Sequence, residues 1–204
     1  MFKRLAVAAA VAGVVLGGAA GTASAATAGH HPYPPSVHIT GGQTTLTTAP
    51  GIAAALLGHG IVPLATLPAT EGASTAGGVA VRFAFPVTGG SVNLKKVTGT
   101  IDHSGGILFI DPATGKEIAV SDFIINLKAA QLTAIVNGNP KERVPLLSLS
   151  LAHAKVTAGK HAVCVSGITA RLTKTAASAL DATFSTTLFT GGLELGTAST
   201  VSYF

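Results

Sequence analysis

The chain has 204 residues, 48% of them hydrophobic and only 10% charged, with a formal net charge of +5 and a single cysteine. One cysteine excludes an intrachain disulfide framework, so the fold must rest on its core. Past the first few residues the only basic clusters are Lys95-Lys96 and Lys141 to Arg143, neither interleaved with aromatics, which excludes a concentrated nucleic-acid surface.

Lys3 and Arg4 open the chain as a short positive region. An uncharged run from Leu5 to Leu16 follows, then small residues ending at Ala23-Ser24-Ala25. A basic end that stays behind, a short apolar helix and small residues at the cut describe a cleavable export signal over residues 1–25. The run is shorter than the ~20 residues that span a bilayer, so no transmembrane anchor is expected after cleavage. Removing Lys3 and Arg4 takes the net charge from +5 to +3. The chain is therefore expected outside the cell, and its apolar, low-charge body suits association with the cell envelope. Residues 26–36, with His30, His31, Pro32, Pro34 and Pro35, read as an extended leader. Residues 37–204 are expected to form one β-rich domain.

Strand patterns dominate beyond the leader. Val37–Leu46 is a first candidate. Val79, Val81, Phe83, Phe85 and Val87 alternate with Ala80, Arg82 and Ala84, the period of two that buries one face. Thr88-Gly89-Gly90 predicts a hairpin leading into Val92-Asn93-Leu94. Ser104-Gly105-Gly106 separates Val97–Ile101 from Ile107–Ile110, and Asp111-Pro112-Ala113-Thr114-Gly115 is a strong turn. Strands at Glu117–Leu127, Gln131–Val136 and Val144–Leu151 follow, the last two joined through Asn137-Gly138-Asn139-Pro140. His161–Leu172 and Leu193–Tyr203 complete the set, with a turn over Lys155–Lys160. Ala49–Gly58, with Pro50 in its opening turn, and Thr175–Phe184 are Ala-rich and read as short helices. Each follows a Leu-Thr pair, Leu46-Thr47 and Leu172-Thr173, a faint internal echo in which Thr ends a strand and caps a helix. The fold class this predicts is all-β, an antiparallel sandwich or flattened barrel with two short helices.

Chemistry-bearing patterns are sparse. Asp102-His103-Ser104 places three triad residue types side by side, but neighbours on a strand point to opposite faces, and no Gly-x-Ser-x-Gly elbow exists. The sequence reads there as a solvent-facing turn. The eight acidic residues offer no facing carboxylate pair. The seven histidines lack the close Cys/His spacing of a structural metal site. His59, between Gly58 and Gly60, falls just past a helix end. Cys164, in Ala162-Val163-Cys164-Val165, reads as a buried small side chain. Leu67-Pro68-Ala69-Thr70-Glu71 resembles a sortase signal but lies far from the C-terminus, and reads as a loop. No catalytic residue and no metal ligand is assigned.

The segments FPVTGGSV (from Phe85) and GTIDHSGGILF (from Gly99) resemble a group of secreted actinobacterial β proteins, and RVPLLSLSL, ARLT and AASALDATF fit the same pattern. More remotely, the order of a glycine-flanked His turn, strands, and a late Leu-Thr with a helix is similar to HtaA-type haem-binding domains. The likeness covers most of residues 40–204. It implies an antiparallel β structure with short helices and haem as a ligand, and it matches His103 to the histidine that partners the axial ligand. Such domains supply an axial tyrosine from an aromatic-rich motif near the start. The corresponding stretch here, Thr44–Ile61, has no aromatic residue, and the chain has no Trp and only Tyr33 and Tyr203. The expected function is a non-enzymatic binding or envelope-associated module for a small apolar ligand or an envelope component, with no resident cofactor and His103 and His59 as the candidate ligand-binding residues. The alternatives are haem capture of the HtaA type and an extracellular hydrolase with a dispersed site.

Overall fold

The computed structural model describes residues 36–74 and 80–204. The expected signal peptide, the leader as far as Pro35, and Val79 lie outside the described residues. Thirteen strands and two helices follow in the order β1 (Val37–His38), β2 (Gly41–Thr48), α1 (Ile52–Gly58), β3 (Val62–Thr66), β4 (Thr70–Ser74), β5 (Ala80–Asn93), β6 (Thr98–His103), β7 (Gly106–Asp111) and β8 (Lys116–Asn126), then β9 (Gln131–Val136), β10 (Asn139–Ser150), β11 (Lys155–Ala158), β12 (Ala162–Leu172), α2 (Lys174–Phe184) and β13 (Glu194–Tyr203). The alternation along β5 survives in the fold: Phe83, Phe85 and Val87 are buried and Arg82 is exposed. Between β9 and β10, Asn137 and Gly138 both take positive φ, the two-residue turn whose twist matches the strands it joins.

Eight strands close into an antiparallel barrel. Starting from β5, the ring runs through β2, β13, β12, β10, β9, β8 and β6, and β6 pairs back onto β5. The remaining strands decorate it: β1 and β4 pair with β5, β7 pairs with β8 and carries β3, and β11 pairs with β12. The seam that joins the two ends of the fold is β2–β13, where Gly41 to Thr48 pair with Tyr203 to Gly196. Gly42 is required there. Its φ is +138°, and a Cβ would fall 2.0 Å from the Val201 carbonyl oxygen.

Two bulges shape the interior. β5 continues through Thr88-Gly89-Gly90 instead of reversing, with an irregularity between Val87 and Gly89. The expected hairpin is absent because this strand changes partners: its first half pairs with β2 and β4, its second with β6 and β1. The glycines bend one long strand around a barrel corner. The second bulge is in β8 between Ser121 and Ile124, with Asp122 at φ +50°.

Three further expectations change. The Leu67–Glu71 loop is shorter than expected, with Leu67 to Ala69 outside the strands and Thr70 and Glu71 opening β4, and the turn over Lys155–Lys160 is largely the strand β11. Cys164 is half-buried and not part of the core. Helix α1 begins after Pro50, with Gly51 in the left-handed region as its cap and no side-chain cap, whereas Thr173 caps α2 as expected.

Candidate functional site

Among the described residues four polar side chains are buried inside this apolar structure: Thr44, His103, Thr200 and Ser202. Thr44 and Thr200 pair directly across the β2–β13 seam, and His103 ends β6 opposite Val87. His103 is only 4% exposed, so the solvent-facing turn expected from Asp102-His103-Ser104 is corrected to a buried strand end. It sits between the two bulges. The β8 bulge takes Phe123 out of regular pairing, and the Phe123 carbonyl accepts from His103 Nδ1 at 3.2 Å. On the other side of the ring, Nε2 lies 2.7 Å from Thr44 Oγ1, and Thr44 Oγ1 lies 2.8 Å from Thr200 Oγ1.

The chemistry of these partners orders the protons. A carbonyl only accepts, so Nδ1 carries a hydrogen. In the neutral ring Nε2 then accepts from the Thr44 hydroxyl, and Thr200 turns its hydroxyl towards Thr44. When Nε2 is protonated the chain reverses, running from Nε2 to Thr44 to Thr200. Burial holds the imidazole below its ordinary value of 6.5, against the opposing pull of the Phe123 carbonyl and the Asp102 carboxylate. Ser202, two residues beyond Thr200 and fully buried, has no hydrogen-bond partner for its Oγ.

His59 is placed elsewhere. It caps the C-terminus of α1, is exposed, and has its ring Nδ1 3.4 Å from Thr186 Oγ1 in the segment after α2. The structure does not join it to His103. Among the described residues no three His, Cys, Asp or Glu side chains gather into a metal-binding group. Nor does a relay form at Asp102-His103-Ser104, because the His103 nitrogens bond to Phe123 and Thr44.

The barrel interior holds a cavity of about 100 Å³. Every strand of the ring except β6 contributes to its wall, together with β7, α1, α2 and the segment before β13. A break in register between Pro145 and Leu147 turns both Leu146 and Leu147 inward to line it. No polar surface faces the space. Thr44, its one polar residue, therefore presents carbon while its hydroxyl is engaged with His103 and Thr200. Phe85 and Phe123, edge to face with ring centres 5.0 Å apart, both line the cavity, and the Phe123 carbonyl is the one that bonds the buried histidine. Sequence reading missed this cavity and missed Thr44, Thr200 and the Phe123 carbonyl as partners of His103. Thr44 and Thr200 lie in Thr-rich strands where inward and outward threonines look alike.

A family model described as Htaa matches residues 64–186, from β3 to just beyond α2. The chain belongs to the HtaA family. Its HtaA region thus contains His103, both bulges and α2. Among solved structures, the C-terminal domain of HtaA from Corynebacterium glutamicum is similar at a TM-score of 0.56 and 16% identity, covering 81% of this chain and 98% of that one. A domain-swapped dimer of a histidine-to-alanine variant of the same domain is similar at a TM-score of 0.49 and 18% identity, covering 76% and 93%. The first of these shares the fold of this HtaA-family chain. No curated protein matches it.

Proposed function

We propose that the chain is an exported, non-enzymatic binding module of the HtaA family whose ligand is apolar. The observation that carries this reading is the barrel's unfilled interior. A domain built only to pack or to bear load gains nothing from a void, because each missing contact forfeits dispersion energy. The first 25 residues, read as an export signal, support a location outside the cytoplasm.

Haem is the second reading, favoured by family membership alone. The donors present do not fit it. His103 is buried with both ring nitrogens engaged, and among the described residues the only tyrosine is Tyr203, which is 52% exposed at the end of β13. A macrocycle is far larger than the interior cavity. A haem titration of the purified chain, followed in the Soret band with His103→Ala alongside, decides between the readings. The apolar-ligand reading expects no saturable shift at micromolar haem. A saturable shift lost in the variant would establish haem capture through His103 and overturn it.

A further inference from the structure

We infer that the cavity beneath α2 is a hydrocarbon-binding site, entered beside Ala179, that selects for groups without hydrogen-bonding atoms. This deepens the binding-module reading and rests on it.

The wall decides the class of ligand. With no polar surface facing the space, an entering hydroxyl, amide or charge gives up its water and finds no partner. A hydrocarbon group gives up nothing of that kind. An apolar void of this sort stays dry, and a comparable engineered cavity of roughly 150 Å³ accepts benzene and xenon. At about 100 Å³ the present cavity fits a single ring or the end of an alkyl chain. The space exists because several inward positions carry alanine, among them Ala170 on β12, Ala176 on α2 and Ala198 on β13.

The route in is read from α2. Ala176, Ala179 and Leu180 stand at helical spacing on the face that lines the cavity. Ala179 is exposed as well as lining the cavity, so the wall between the interior and water is thin at this helix. A side chain of one carbon is what separates the interior from water there.

The test uses benzene, phenol, xenon and decanoate as probes on the purified chain, with methyl NMR of the cavity-lining Leu, Ile and Val residues and thermal unfolding as readouts. Benzene and xenon are expected to shift those methyls saturably, and benzene to raise Tm. Phenol is expected to bind at least about tenfold more weakly than benzene, for lack of a partner for its hydroxyl. Decanoate competing with benzene would identify a lipid chain end as the natural source. Benzene binding without that competition would identify a free hydrocarbon. Ala176→Leu and, separately, Ala170→Val fill the space, and each is expected to abolish or weaken benzene binding while the chain stays folded. Unshifted methyls with benzene and xenon, equal affinity for phenol, or binding unchanged in both folded filled variants would each overturn the proposal. Saturable binding of another ligand elsewhere, with these methyls silent, would leave the binding-module reading standing and remove only the cavity as its site.

Discussion

His103 is a histidine kept neutral by its surroundings, and that has a measurable cost. Above its ordinary value of 6.5 the imidazole is neutral in both folded and unfolded chains, and the site is indifferent to pH. As pH falls through 6.5 towards the lower folded value, the unfolded chain takes up a proton that the buried ring refuses. Stability contributed by this residue is therefore present above 6.5 and lost on acidification, by at most about 1.4 kcal/mol per pH unit. Unfolding midpoints measured from about pH 7.5 to about pH 5 are expected to fall in the wild type. A His103→Gln variant should lose that part of the slope, and identical slopes would mean that the ring is not held neutral. The sequence made His103 conspicuous through its glycine-rich neighbours. It did not reveal the residue's depth, because that is fixed by bulges in two strands remote from it. A Phe123 carbonyl freed by a bulge has no signature in residue type.

Among the elements, α2 shows how one side chain ties a helix to the wall it covers. Thr173 Oγ1 accepts from the Ala176 N–H at 3.2 Å and donates to the Pro145 carbonyl at 2.7 Å. It thus begins the helix and fastens it to β10 at the register break beside Leu146. Further along, Asp181 Oδ1 accepts from the Phe189 N–H at 3.0 Å and holds the return segment. Thr173→Ala is expected to cost about 1–2 kcal/mol in denaturant unfolding, with Thr173→Ser recovering most of it. Equal losses in both would place the effect in packing and not in the cap. This element was legible because its Ala-rich face, its Leu-Thr start and its cap all agree. By contrast, β11 is exposed along its whole length and leaves no alternation to read. The Thr88-Gly89-Gly90 segment carries turn chemistry that the fold spends on a bend. For that segment the deciding fact is the change of partners along β5, from β2 and β4 to β6 and β1.

At the scale of the whole molecule, the expectation of an antiparallel β fold with two short helices holds, and the choice between sandwich and barrel is settled by closure. Closure depends on β6 skipping β7 to reach β8 and on β13 reaching β2, and neither pairing leaves a local trace. The interior volume is likewise a sum over many side chains, which is why an apolar run reads as core in the sequence whether or not it is fully packed. What the whole fold adds to the residue-level picture is separation. The polar chain of His103, Thr44 and Thr200 and the dry cavity share Thr44 and Phe123, yet they present different chemistry on the two sides of those residues.

The β2–β13 seam also sets an order of events for a chain that emerges N-terminus first, from a ribosome or through a membrane pore. One edge of β2 finds β5 early, but its other edge waits for β13, Glu194–Tyr203. Until that strand arrives, β2 and β12 are open templates for a neighbouring molecule, and long-range pairing of this kind is slow. A chain ending before residue 194 is expected to elute as oligomers or precipitate while the full chain runs as a closed monomer; a monomeric, folded truncation would show that the ring does not depend on its seam. The barrel is thus completed only once β13 is delivered, and any carrier that escorts the chain must hold β2 half-paired until then.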